Sequence, residues 1–169
     1  MGQEAMAWIM LAATAFAAIA AIAAWRQTRA VSKSTTSSIL INCLNAYLGI
    51  MRSRTRALEN KSEQQCKDFY RELFDLHWTE FQLWREKLIP DHVMNAWLAV
   101  RRRNYNKDSL EFETETGKKV SVTYQQLWRE LKEDIEYFEP TDPFIRFMDK
   151  AHAEAITDMC KLRKEFKIK

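Results

Sequence analysis

Residues 5–25 read AMAWIMLAATAFAAIAAIAAW, and the expected fold turns on what this run does. Its 21 residues include 11 alanines and no charge. As a single helix the run would extend about 31 Å, close to the hydrocarbon thickness of a bilayer. Trp8 and Trp25 stand 17 residues apart, roughly 25 Å on a helix, and indole rings favour the headgroup level. A water-exposed helix of this length normally keeps a polar stripe, which is missing here. Met1-Gly2-Gln3-Glu4 carries no Lys or Arg, whereas a secretory signal begins with a basic region. Arg26, Arg29 and Lys33 follow the run directly, and the positive-inside rule keeps such a flank in the cytoplasm.

The expectation is therefore a single-pass anchor in the inner membrane, N-terminus out, with Trp8, Trp25, Arg26, Arg29 and Lys33 as its interface residues. Alanine is close to neutral for insertion, so Ile9, Leu11, Phe16, Ile19 and Ile22 carry most of the drive. Ala13, Ala17 and Ala21, with Ala20 and Ala24, form small-xxx-small faces that invite self-association of the helix. The expected organisation is a short N-terminus at 1–4, a transmembrane helix at 5–25, a basic juxtamembrane linker at 26–37 and a cytoplasmic helical domain at 38–169.

Beyond the linker, Ser34-Thr35-Thr36-Ser37-Ser38 is turn-prone, and Ser37 or Ser38 is a candidate cap for a helix running to about Asn60. Ser62-x-x-Gln65 is a capping-box pattern ahead of a strongly amphipathic stretch through Phe69, Leu73, Leu76 and Leu83. Pro90 or Asp91 opens the next helix, with Val93, Met94, Trp97 and Leu98 inward. Residues 110–114 and 119–123 alternate apolar and polar about Glu115-Thr116-Gly117-Lys118, the pattern of a small β-hairpin. Thr123-x-x-Gln126 starts a stripe of Leu127, Leu131, Ile135 and Phe138. Thr141-Asp142-Pro143 begins a last helix with a seam from Phe144 through Met159 to Phe166. The expected fold class is all-α: an N-terminal transmembrane helix, then an irregular cytoplasmic helical bundle with one small β-hairpin.

Composition narrows the function. Lys and Arg number 26 and Asp and Glu 23, a net charge of +3, which argues against nucleic acid as the partner. Three cysteines, Cys43, Cys66 and Cys160, fit neither a disulfide framework nor a CxxC zinc site. Three glycines leave no material for a phosphate-cradling loop, and no G-x-S-x-G, H-E-x-x-H or P-loop pattern occurs. His77 lies three residues before Glu80, and Asp149 three before His152. Only Asp149-x-x-His152 has the acid-first order of a di-iron ligand pair, and such a site needs more carboxylates than this. No catalytic residue, metal or cofactor is expected. Candidate interaction residues are Trp78, Trp84 and Trp97, from an aromatic-rich stretch, and the basic triplet Arg101-Arg102-Arg103.

An apolar N-terminal helix, then Arg-Gln-Thr-Arg, then Phe69-Tyr70-x-x-Leu73-Phe74-Asp75-Leu76-His77-Trp78-Thr79-Glu80-Phe81-x-Leu83-Trp84, Ile89-Pro90 and Trp97 make a recognisable arrangement. It resembles small, largely uncharacterised bacterial single-pass membrane proteins, some of which sit in mobile or phage-defence gene clusters. The resemblance covers the architecture and residues 66–98 and carries no catalytic residue across. It implies a membrane-associated accessory or effector role. The expected function is thus a membrane-anchored, non-enzymatic protein whose cytoplasmic domain binds a protein partner or itself, with the lipid bilayer as its other partner. The alternative is a membrane-disrupting effector that acts by clustering its Ala-rich helix.

Overall fold

The computed structural model describes residues 3–134 and 142–166, with side chains described at Gln27 and from Val31 onward. The chain forms two compact units, Met1–Ile39 and Leu40–Lys169. In order, the elements are α1 (Gln3–Glu59), α2 (Glu63–Arg85), α3 (Asp91–Lys107), β1 (Ser109–Glu113), β2 (Lys119–Thr123), α4 (Tyr124–Glu133), α5 (Pro143–Ala153) and α6 (Met159–Glu165).

The expected transmembrane helix requires correction. Residues 5–25 are not a separate element but the beginning of α1. Among the described residues no helix is long and apolar enough to cross a membrane. The single-pass topology and the inner-membrane placement therefore lack support, and the effector reading loses its premise with them. The physical reason lies in the alanines. Alanine is the best helix former but adds little affinity for lipid, so an Ala-rich run extends a helix more readily than it marks a span. The side chains of Trp8, Trp25, Arg26 and Arg29, and of Ala13, Ala17, Ala20, Ala21 and Ala24, lie outside the described residues, whereas Lys33 is exposed on α1.

The turn expected at 34–38 is also absent, and the linker at 26–37 is helical. Thr35 Oγ1 donates to Val31 O, Ser37 Oγ to Lys33 O and Ser38 Oγ to Ser34 O, each at 3.0 Å. These hydroxyls bond back one turn instead of capping forward, so the helix passes through a segment with weak intrinsic preference for it.

The remaining boundaries follow local chemistry. Ser62 Oγ accepts from Gln65 N at 3.3 Å and starts α2, just after Lys61 turns the chain at φ 49°. Thr123 Oγ1 accepts from Gln126 N at 3.1 Å and starts α4. Asp142 Oδ1 accepts from Phe144 N at 2.7 Å, with Pro143 in the first turn of α5. The hairpin pairs Leu110 with Val122 and Phe112 with Val120, and Gly117 takes the positive φ of 76° its turn requires. Leu110 and Val122 are buried, and β2 packs on α2 and α4, which is how so small a hairpin persists. The last helix expected from 143 onward is broken: α5 stops at Ala153, and Asp158 Oδ1 caps α6 through Lys161 N at 2.9 Å. A good N-cap inside an apolar seam restarts the helix instead of letting it continue. Of the stripe expected in the fourth helix, Ile135 and Phe138 lie outside the described residues.

The core of the second unit is aromatic. Phe74 meets the Tyr124 ring at 4.7 Å between centroids, Phe81 meets Phe147 at 4.6 Å and Trp84 meets Phe147 at 5.4 Å. These contacts tie α2 to α4 and α5 and hold rigid the inner face of α2 on which the site below depends.

Candidate binding groove

Spacing along three helices brings one set of residues to a common cleft. On α2, Leu73, His77 and Glu80 recur at helical intervals on the inner face; on α3, Val93, Trp97, Val100, Arg101 and Asn104 do the same. With Leu40, Cys43, Leu44 and Tyr47 of α1 they line a cavity of about 520 Å³. That is the size range of ordinary ligand clefts, roughly 300–1,000 Å³.

Three titratable groups meet in the wall. Arg101 is only 1% exposed, and its Nη2 donates to Glu80 Oε2. His77 Nδ1 lies 3.3 Å from the same carboxylate oxygen. Burial pushes the Glu80 carboxyl up, but Arg101 and His77 outweigh it and hold it below the usual carboxylate range. Burial, reinforced by Arg101, pushes His77 down to about 4 against the opposing pull of Glu80. His77 is therefore neutral at pH 7, and its Nδ1–H donates to Glu80. Among the described residues Arg101 Nη1 reaches only the Met94 sulfur, at 3.7 Å, and its Nε finds no acceptor. Five guanidinium donors thus share one carboxylate and one weak sulfur acceptor.

The thiol beside this cluster is quiet. Burial raises Cys43 and Glu80 raises it further, while Arg101 offsets part of the effect. Cys43 is a thiol at neutral pH and a poor nucleophile. Cys66 is buried and Cys160 exposed, and both are free. His152 lies in a separate pocket of rings, stacked on Tyr105 at 4.2 Å with Nε2 3.3 Å from Tyr124 Oη. Burial first, then His77, Arg101 and Lys132, pushes it down to about 3. Asp149 is occupied by Trp128 Nε1 at 2.8 Å and Lys132 Nζ at 3.3 Å at the edge of the core, whereas His152 is buried, so Asp149 and His152 serve separate contacts. Among the described residues no group of three or more His, Cys, Asp or Glu is placed to hold a metal ion.

The expected interaction residues separate. Trp97 and Arg103 line the groove. Trp78 is 40% exposed, away from it, and Arg102 is half-buried. Trp84 is fully buried, and Arg101 belongs to the interior rather than to a basic surface. The spacing held a signal for Arg101: it continues the face of α3 that buries Met94 and Leu98. Glu80 and Cys43 were not expected to share a site with Arg101, because that meeting depends on how three helices pack. No family model matches the chain, and no curated protein or solved structure matches it.

Proposed function

We propose that this chain works by association rather than catalysis, as a helical interaction protein that pairs with a second copy of itself through α1. One observation carries the reading. Ile41, Leu44 and Leu48 of α1 are 57, 55 and 47% exposed, and with Met51 they repeat at intervals of three and four. That spacing is the seam of a two-helix coiled coil. From Leu40 to Glu59 only Cys43 and Ala57 are buried, so this part of α1 meets its own unit with little of its apolar surface. Helices draw most of their stability from packing an apolar face, which α1 would find in a partner.

Charge favours an antiparallel pair. Between Arg26 and Asn60 there are six basic residues and one acid, Glu59. A parallel, in-register pair would hold Arg52, Arg54 and Arg56 of both copies at one level along the seam. An antiparallel one sets Ile41 against the second copy's Met51 and Leu44 against its Leu48, and moves each Arg52 opposite Leu40.

Light scattering on the full chain tests this. The expected result is twice the chain mass, reduced to one chain mass by Ile41→Lys with Leu48→Lys at unchanged helical content. A single-chain mass for the unaltered protein, or a pair indifferent to both substitutions, overturns the proposal.

A further inference from the structure

The groove has the make-up of a site for an amphiphile. Its walls are Leu40, Leu44, Tyr47, Leu73, Val93, Trp97 and Val100, and its polar lining includes two guanidiniums, Arg101 and Arg103, against one carboxylate, Glu80. Glu80 already serves both Arg101 and His77, and His77 is neutral, so the lining retains one uncompensated positive charge. Arg103 is exposed, and beside it Asn104 also lines the cleft. From Val93 to Asn104 the cleft follows α3 for 12 residues, about 17 Å.

We infer that this cavity binds a single aliphatic carboxylate, its acyl chain lying along Val93, Trp97 and Val100 and its carboxylate held by Arg103 with Asn104. The apolar wall supplies most of the affinity, because about 25 cal/mol is gained per Å² of apolar surface removed from water. The guanidinium selects the head group, because a charge-assisted, fork-shaped contact suits a carboxylate and does little for an alcohol. Arg101 and Glu80 neutralise each other in the same wall, so Arg103 carries the net charge of the lining.

This inference does not rest on the pairing of α1, although Leu44 belongs both to the proposed seam and to the groove wall; chain mass reads the pairing and ligand uptake reads the groove, so the two can still fail separately. The test is calorimetric titration of the full chain with dodecanoate below its micelle concentration, with the thermal midpoint followed in parallel. The expected result is saturable uptake of one dodecanoate per chain and a raised midpoint. Dodecanol should bind at least tenfold more weakly. Arg103→Gln should weaken dodecanoate about tenfold with little effect on dodecanol, and Val100→Glu should abolish uptake of both. The pairing-deficient chain carrying Ile41→Lys and Leu48→Lys should still take up one dodecanoate, since neither residue lines the groove. The inference is overturned by absence of saturable uptake or a midpoint lowered by dodecanoate. It is equally overturned by equal affinity for dodecanol, indifference to Val100→Glu, or loss of uptake in the pairing-deficient chain.

Discussion

Arg163 lays its guanidinium over the Trp84 ring, 4.7 Å from the centroid, and so fastens α6 to the end of α2. Its Nε also donates to Asp91 Oδ1 at 2.7 Å, the same oxygen that accepts from Trp84 Nε1 at 2.8 Å. A seven-residue helix gains little from its own hydrogen bonds, so this clasp and buried Leu162 hold α6 in place. Arg163→Ala should cost about 2 kcal/mol, from a cation–π contact and a charge-assisted hydrogen bond partly screened by solvent. Arg163→Lys should recover less than half, since the fork geometry is lost. Hydrogen exchange across Met159–Glu165 should rise sharply in the alanine variant while α4 stays protected; unchanged exchange there would refute the clasp.

The Glu80–Arg101 pair leads to a different expectation. Both side chains are almost wholly buried, so removing one leaves a bare charge in the interior. Arg101→Met alone should cost about 3–5 kcal/mol, whereas Arg101→Met with Glu80→Leu should recover most of that loss. Urea denaturation of the two single variants and the double variant completes the cycle. Additive losses would show that the two charges do not depend on each other.

Stability should fall on mild acidification. His77 is pushed down to about 4 and His152 to about 3, both below the ordinary value of 6.5. The unfolded chain therefore takes up protons first as pH drops. The contribution of each neutral histidine is fully present above about pH 6.5 and is lost progressively towards its folded value. Each should give a slope of about 1.4 kcal/mol per pH unit within that window. Urea midpoints at pH 7.5, 6.0 and 5.0 measure it, and His152→Phe should flatten the slope by about half. A flat profile from pH 7.5 to 5.0 would contradict the burial assigned to both rings.

Thiol labelling should separate the three cysteines. Cys160 is exposed, whereas Cys43 and Cys66 are buried with thiols raised by that burial. One equivalent of a thiol-reactive dye should be consumed rapidly by the folded chain, and the other two only on unfolding. Rapid loss of three equivalents under native conditions would place Cys43 outside the interior.

The parts of the fold legible in the sequence were those written in local chemistry. Ser62 with Gln65, Thr123 with Gln126 and the Asp142-Pro143 start all begin helices where their spacing placed them. The hairpin about Gly117 followed from alternation and a turn residue. The errors came from segments whose local preference was overruled. Ser34-Thr35-Thr36-Ser37-Ser38 reads as a turn until its hydroxyls find carbonyls one turn back. The seam towards Phe166 reads as continuous until Asp158 interrupts it. The Ala-rich run weighed as lipid affinity what equally serves helix propensity. The groove was the least legible feature, because a buried Arg101 and a shared Glu80 become a site only when α2 and α3 are set side by side.

That last pairing also limits how the chain can misassemble. If α3 docked one residue out of step, Glu80 would face Val100 or Arg102 instead of Arg101, and a naked carboxylate or a stranded guanidinium would be sealed in grease. Slipped arrangements that an all-hydrocarbon contact would tolerate are thereby made costly. The ion pair works as a key cut for one lock, trading some cohesion for a single alignment of the two helices.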